Sequence, residues 1–122
     1  MLSVVIPNWN GIGHLPTCLD ALRRQSFRYF EVIVVDNFST DGSPEMLQSD
    51  YPEVRVLALE SNRGFTGACN AGIRVAQGAI VVLLNNDTEA APDWLVEIVA
   101  AFNRYPDAGM IASKLLLFDQ RD

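Results

Sequence analysis

The sequence predicts an α/β domain of three layers, with a mainly parallel sheet between two layers of helices. Three observations carry this. Short apolar, β-branched runs recur along the chain, and segments with helical apolar spacing separate them. Each run ends in a polar loop rich in Asn, Asp and Gly, the composition of turns. Strands that are apolar throughout, rather than alternating, belong to sheets covered on both faces.

Each element follows in order. Leu2 to Ile6 is apolar except for Ser3 and reads as a first strand stopped by Pro7. Leu15, Cys18, Leu19 and Leu22 fall at i, i+3, i+4 and i+7, the stripe of an amphipathic helix. Val32 to Val35 is a second β-branched run, ended by Asp36 and Asn37. A short helix is expected over Pro44 to Gln48, with Ser43 as N-cap and Pro44 in the first helical position. Val54 to Leu59 alternates in part and reads as a strand near a sheet edge. Cys69, Ile73 and Ala76 mark a third helix closed by Gly78. Ile80 to Leu84 is wholly apolar and reads as a fully buried strand. Pro92 opens a fourth helix with Leu95, Ile98, Val99 and Phe102 on its buried face, and Gly109 to Ala112 begins a fifth strand.

A length of 122 residues suits one domain, residues 1–122, with no repeat or linker. The net charge of -6 argues against nucleic acid or an anionic membrane as the main partner. It leaves room for a small anion, since a cation or a helix N-terminus neutralises phosphate locally. Cys18 and Cys69 read as reduced core thiols. The longest apolar run, Ala79 to Leu84, is too short to span a bilayer, and the absence of a basic stretch before the first strand predicts no signal peptide. A cytoplasmic protein is expected.

Right-handed crossovers bring the C-terminal ends of parallel strands to one rim, where open α/β sheets bind ligands. That rim should carry Pro7-Asn8-Trp9-Asn10-Gly11, the Asp36 to Ser43 loop, the Ser61 to Gly67 loop with Asn70, and Asn85-Asn86-Asp87-Thr88-Glu89. Asp36, directly after a β-branched strand, can accept from a nucleobase N–H or a ribose hydroxyl. Asp41 more simply supports its turn or the next helix. Arg63 to Gly67 could form an anion-binding turn, while Gly67 and Gly72 could equally be close-packing positions. Trp9 could stack on a base or fill the sheet end. Trp94 is expected to pack beside the fourth helix. Asp87 with a neighbouring amide oxygen suits a hard divalent ion that completes its shell with phosphate and water. His14 reads as exposed or capping. Neither G-x-G-x-x-G after the first strand nor a P-loop occurs.

Taken in order, Ser3–Gly11, Val34–Ser43, Asn62–Gly72 and Leu83–Glu89, followed by Pro92-Asp93-Trp94-Leu95, resemble the family 2 glycosyltransferases of the GT-A fold. The resemblance covers nearly the whole chain. It implies a Rossmann-like nucleotide-sugar-binding half, with Pro7, Trp9 and Asn10 near the base and Asp36 contacting uracil or thymine. It places Asn62, Arg63 and Asn70 along the base or diphosphate, with Asn86 beside them. Asp87 and Asn85 would meet Mg²⁺ or Mn²⁺. Asn85 departs from the family pattern, which often has Asp there, so metal affinity should lean more on the bound diphosphate.

The N-N-D and R-G-F-x-G forms resemble the rhamnosyltransferase-like branch. They imply inverting transfer, with dTDP-rhamnose as candidate donor, to a cell-surface polysaccharide or lipid-linked acceptor, with the full-length protein peripheral on the inner membrane face. In the family the acceptor region and the carboxylate base follow the segment resembling Met110 to Phe118. The resemblance therefore implies a donor-binding portion that ends before that region, with the base beyond Asp122. A non-catalytic nucleotide-binding or interaction module, and a nucleotidyltransferase, are the alternatives. A homodimer through an uncovered apolar surface is a further expectation.

Overall fold

A computed structural model describes residues 1–116 of the chain. The elements are β1 (Leu2–Asn8), α1 (Leu15–Arg23), β2 (Phe30–Asp36), α2 (Ser43–Asp50), β3 (Arg55–Ala58), α3 (Gly64–Val75), β4 (Ile80–Leu83) and α4 (Trp94–Arg104). The four strands form one parallel sheet in the order β3-β2-β1-β4.

The chain walks outward from β1 to β2 to β3, then returns through α3 to lay β4 on the other side of β1. Because crossovers are right-handed, reversing direction puts α3 on the opposite face from α1 and α2. The core divides accordingly. Leu2, Val4, Ile6, Val32 and Val34 meet Leu15, Cys18, Leu19, Leu22, Leu47 and Leu95 of α1, α2 and α4. On the other face Val5, Ile33 and Val35 meet Ala68 and Ala71 of α3. The register sets Asn8 level with Asp36, and Asp36 level with Ala58, so the strand ends form a common rim.

The structure departs from the sequence expectations at several points. β1 runs through Pro7 to Asn8. Pairing with β4 ends at Val5, so the missing N–H of Pro7 falls where no β4 partner is lost. Ser43 is the first residue of α2 rather than its cap; Gly42, at φ 87°, holds the cap position. α3 begins at Gly64, five residues before Cys69, and absorbs the turn expected over Arg63 to Gly67. Its buried residues are Ala68, Cys69, Ala71 and Gly72, while Ile73 is exposed. Small residues face the sheet because α3 lies close upon it: a methyl at Gly72 would collide with Val5 Cγ1 and sit 2.9 Å from Val35 Cγ2.

β4 is an edge strand among the described residues, not a fully buried one. Val81 and Leu83, level with Ser3 and Val5 on the α3 face, are 37% and 48% exposed because α3 packs over β1 and β2 instead. No strand forms over Gly109 to Ala112; residues 108–116 carry no regular structure, and the tail from 117 lies outside the described residues. β3, by contrast, is the expected edge. Both cysteines are buried and unpaired, as expected. No helix among the described residues is long and apolar enough to cross a membrane.

One tie that the periodicity did not reveal is Gln25, just after α1 and 3% exposed. Its Nε2 donates to Ala91 O at 2.7 Å, and its Oε1 accepts the Leu95 N–H at 3.0 Å at the start of α4. Trp94 packs on the core edge and donates from Nε1 to Ser113 Oγ. Gln25→Leu keeps the bulk but leaves the buried Leu95 N–H without its acceptor, while Ala91 O keeps the Trp94 N–H. It is expected to lower stability by about 1–3 kcal/mol in a denaturant titration, the cost of one stranded buried donor.

Candidate nucleotide-binding cleft

The strand-end rim encloses an open cleft of about 380 Å³ at the point where the chain reverses direction, between β1 and β4. Pro7, Asn8 and Trp9 line it from β1, Asn37 from β2, and Asn62, Gly64 and Phe65 from the entry to α3. Asn85, Asn86 and Asp87 close it from β4. Polar tips from four consecutive strand ends thus meet one volume.

Six of the residues singled out from sequence line this cleft: Pro7, Trp9, Asn62, Asn85, Asn86 and Asp87. Four do not. Asn10, at φ 51°, is committed to the neighbouring loop, its N–H donating to Ser39 Oγ and its Oδ1 accepting the Thr40 N–H. Arg63 caps α3 and is exposed, with its stem against Gly67. Asn70 is exposed on α3. Asp36 lies beneath the rim, 2% exposed. Its Oδ1 accepts Asn8 Nδ2 at 3.1 Å and its Oδ2 accepts the Ser39 N–H at 3.0 Å. A carboxylate retains lone-pair capacity beyond two such bonds, so Asp36 can still accept from a ligand that reaches it.

Asn8, Asn37, Gly64 and Phe65 line the cleft without having been singled out. Asn8 and Asn37 are nearly buried, and both read in sequence as ordinary turn residues. Their role lies in long-range bonds. Asn37 Nδ2 donates to Gly64 O and its Oδ1 accepts the Arg63 N–H, pinning the start of α3 to the end of β2. The first N–H groups of α3 have no helical acceptor, and the helix start carries partial positive charge. With Gly64 and Phe65 on the cleft wall, that end of α3 favours an anion there.

The β4 tip fits a divalent cation in one particular way. Asn85 and Asp87 are exposed, and no hydrogen bond among the described residues occupies the Asn85 amide or the Asp87 carboxylate. No group of three or more His, Cys, Asp or Glu is gathered among the described residues. A cation here would have one carboxylate and amide oxygens from protein and would need phosphate and water for the rest, as Mg²⁺ and Mn²⁺ do at nucleotides. Below the tip, Cys18 Sγ approaches Asn85 O at 3.8 Å. Burial pushes its thiol up to about 11; the Thr88 hydrogen bond opposes that and the Asp87 charge adds to it. Cys18 thus lies as a buried thiol beneath the tip.

At the far side of the rim, Asp41 braces two loops. Its Oδ2 accepts the Ile12 N–H at 3.0 Å, while Oδ1 accepts the Ser43 N–H and the Ser43 hydroxyl. Partial burial raises the carboxyl, but the Ser43 hydroxyl and the Ile12 and Ser43 amides outweigh it and hold it below the usual range. Since the folded value is the lower one, this stabilisation is complete above the ordinary carboxylate range and disappears as pH falls through the folded value. Asp41→Asn should be less stable than wild type at pH 7 by about 1–2 kcal/mol. Chemical-denaturation midpoints measured from pH 7 to pH 3 should converge for the two proteins at the acid end. His14, at the N-cap of α1, is exposed and makes no capping bond.

The model of Glycosyl transferase family 2 matches residues 3–119, and the chain belongs to that family. Glycosyltransferase GlyG of Streptococcus pneumoniae serotype 4 is 30% identical over an alignment of 127 positions, covering 100% of this chain and 41% of that protein. Among solved structures, S. aureus TarS 1-349 in complex with UDP superposes with a TM-score of 0.79 at 26% identity, over 86% of this chain and 32% of that one. Mannosyltransferase PcManGT from Pyrobaculum calidifontis, in complex with GDP-Man and Mn²⁺, gives 0.74 at 29% identity, over 83% of this chain and 32% of that one. The parallel four-stranded sheet with its helices is thus the α/β fold of the GT-A glycosyltransferase structures. The chain spans less than half the length of these relatives.

Proposed function

We propose that this chain is the donor-binding part of an inverting glycosyltransferase that takes its sugar from a nucleoside diphosphate with Mg²⁺ or Mn²⁺. One observation carries the reading: a single cleft is lined by an exposed aromatic, several amides, the start of α3 and the Asn85-Asn86-Asp87 tip. Trp9 offers a stacking surface for a base, and Asp36 an acceptor below it. The α3 terminus and the cation share the diphosphate charge, so a chain of net charge -6 can still hold an anion. A bound cation would act by stabilising negative charge on the departing diphosphate.

Two of the compared proteins support the ligand class, since one is described with UDP and the other with GDP-Man and Mn²⁺. The narrower reading is a rhamnosyltransferase-like enzyme using dTDP-rhamnose, with a cell-surface polysaccharide or lipid-linked acceptor. It rests on Asn85-Asn86-Asp87 together with Arg63-Gly64-Phe65. The reading includes a cytoplasmic setting at the inner membrane face.

The test is calorimetric titration of the chain with UDP, dTDP and GDP, in EDTA and in Mn²⁺. Binding that tightens with metal supports the reading, and tightest binding of dTDP supports the narrower one. Absence of any metal-dependent binding by folded protein overturns both. Pyrophosphate release from a nucleoside triphosphate would point to nucleotidyl transfer instead.

A further inference from the structure

Between the Asn85-Asn86-Asp87 tip and the buried Asp36 carboxylate runs a chain of hydrogen-bonded side chains. Asn86 Nδ2 donates to Asn8 Oδ1 at 2.8 Å, and Asn8 Nδ2 donates to Asp36 Oδ1 at 3.1 Å and toward Ser39 Oγ at 3.4 Å. Three strand ends, β4, β1 and β2, are joined through one carboxamide that is 1% exposed.

The sense of this relay is fixed by chemistry. Asp36 Oδ1 accepts from the Asn8 NH₂, so Asn8 turns its oxygen to β4. Asn86 must then turn its own NH₂ inward, which leaves its carbonyl as the end not spent on Asn8. Flipping either amide sets oxygen against oxygen or NH₂ against NH₂. Backbone packing guards the same point: a Cβ at the buried Gly11 would collide with both Asn86 Nδ2 and Asn8 Oδ1. Only a residue without a side chain lets the β1–α1 loop pass over this bond.

We propose that Asn8 is a positioning residue that locks the Asn85-Asn86-Asp87 tip to Asp36 and makes Asn86 present its carbonyl, not its NH₂, to the cleft. This rests on the donor-binding reading above. Asn8 touches the tip rather than the cation, and its effect is to hold Asp87 and Asn85 where a diphosphate-bound cation can use them.

The experiment has two readouts on the intact chain, with Asn8→Ala breaking the relay chemically and Gly11→Ala breaking it sterically. The first readout is exchange of the Asn86 side-chain amide protons by NMR, without nucleotide. They should exchange at least about threefold more slowly than those of the exposed Asn103 in wild type, as one hydrogen bond of about 1 kcal/mol implies, and match them in both variants. The second is UDP binding in EDTA and in Mn²⁺. The ratio of the two Kd values should fall roughly three- to tenfold in both variants, with Gly11→Ala changing the EDTA value much less.

Equal weakening in EDTA and Mn²⁺ would show a merely structural role and overturn the proposal. Fast Asn86 exchange in wild type would overturn the relay itself. Slow exchange in a chain that binds no nucleotide would separate the two failures: the relay would stand, but both the donor-binding reading and the positioning role would fall.

Discussion

Asp87→Ala is expected to remove most of the Mn²⁺-dependent part of UDP binding while leaving metal-free binding unchanged or slightly tighter. Asp87 is the only carboxylate among the described residues lining the cleft. Even in a water-like medium, a unit charge about 4 Å from a divalent cation is worth about 2 kcal/mol, which corresponds to about 30-fold in affinity. At coordination distance and with partial exclusion of water the effect is larger, so 30-fold is a lower figure. In EDTA the sign reverses, because the same carboxylate then repels the diphosphate. Asp87→Asn keeps an oxygen but loses the charge and should fall between wild type and alanine. Asn85→Asp adds a second carboxylate and should strengthen the metal-dependent part. Calorimetric titration of UDP in both conditions, with melting curves to confirm folding, measures this. A parallel loss in EDTA and Mn²⁺ would mean that Asp87 supports the loop and not a cation.

How far the sequence disclosed this arrangement depended on the range of each interaction. Apolar runs and helical spacing are local, and they located β1, β2, β3 and β4 and the helices between them. The order of the loops located the rim. What periodicity could not supply was which strand lies at an edge. Ile80 to Leu84 reads as buried because every residue is apolar, yet α3 crosses β1 and β2 and leaves Val81 and Leu83 bare. Ile73 has the spacing of a core residue, but the close seat of α3 turns Ala68, Ala71 and Gly72 inward instead. Asp41 was legible as a local brace because its partners Ile12 and Ser43 lie at the same rim and one is two residues away. Asn8, Asn37 and Gln25 were not. Apart from a long Gln25 bond to Ala21 O, their partners are 26 to 78 residues distant, and an Asn after a strand looks the same whether it turns a loop or joins three strands.

Gly78→Ala should destabilise the fold by about 3 kcal/mol, more than Gly72→Ala, although Gly72 has the closer neighbour. The difference lies in what each methyl would meet. At Gly72 it meets side-chain carbons of Val5 and Val35 rather than backbone, and alanine returns about 1 kcal/mol of helix propensity. At Gly78 it would lie 2.6 Å from Ser3 N and 2.7 Å from both Leu2 C and Met1 O. These are backbone atoms of β1, which is hydrogen-bonded to β2 on one side and β4 on the other and cannot retreat. The turn must move instead. Doing so strains the Gly78 N–H bond to Ser3 Oγ at 2.8 Å and the Ala79 N–H bond to Met1 O at 3.0 Å, two contacts that tie the start of β4 to β1. Overpacking costs about 1–3 kcal/mol and each lost bond about 1, placing the substitution near the top of that range. Guanidinium denaturation of the two variants beside wild type measures the order, and a Gly78→Ala protein within about 0.5 kcal/mol of wild type would refute it. The consequence reaches the cleft: β4 carries Asn85 to Asp87 at its far end, so a loosened register should also weaken Mn²⁺-dependent nucleotide binding from the opposite end of the strand.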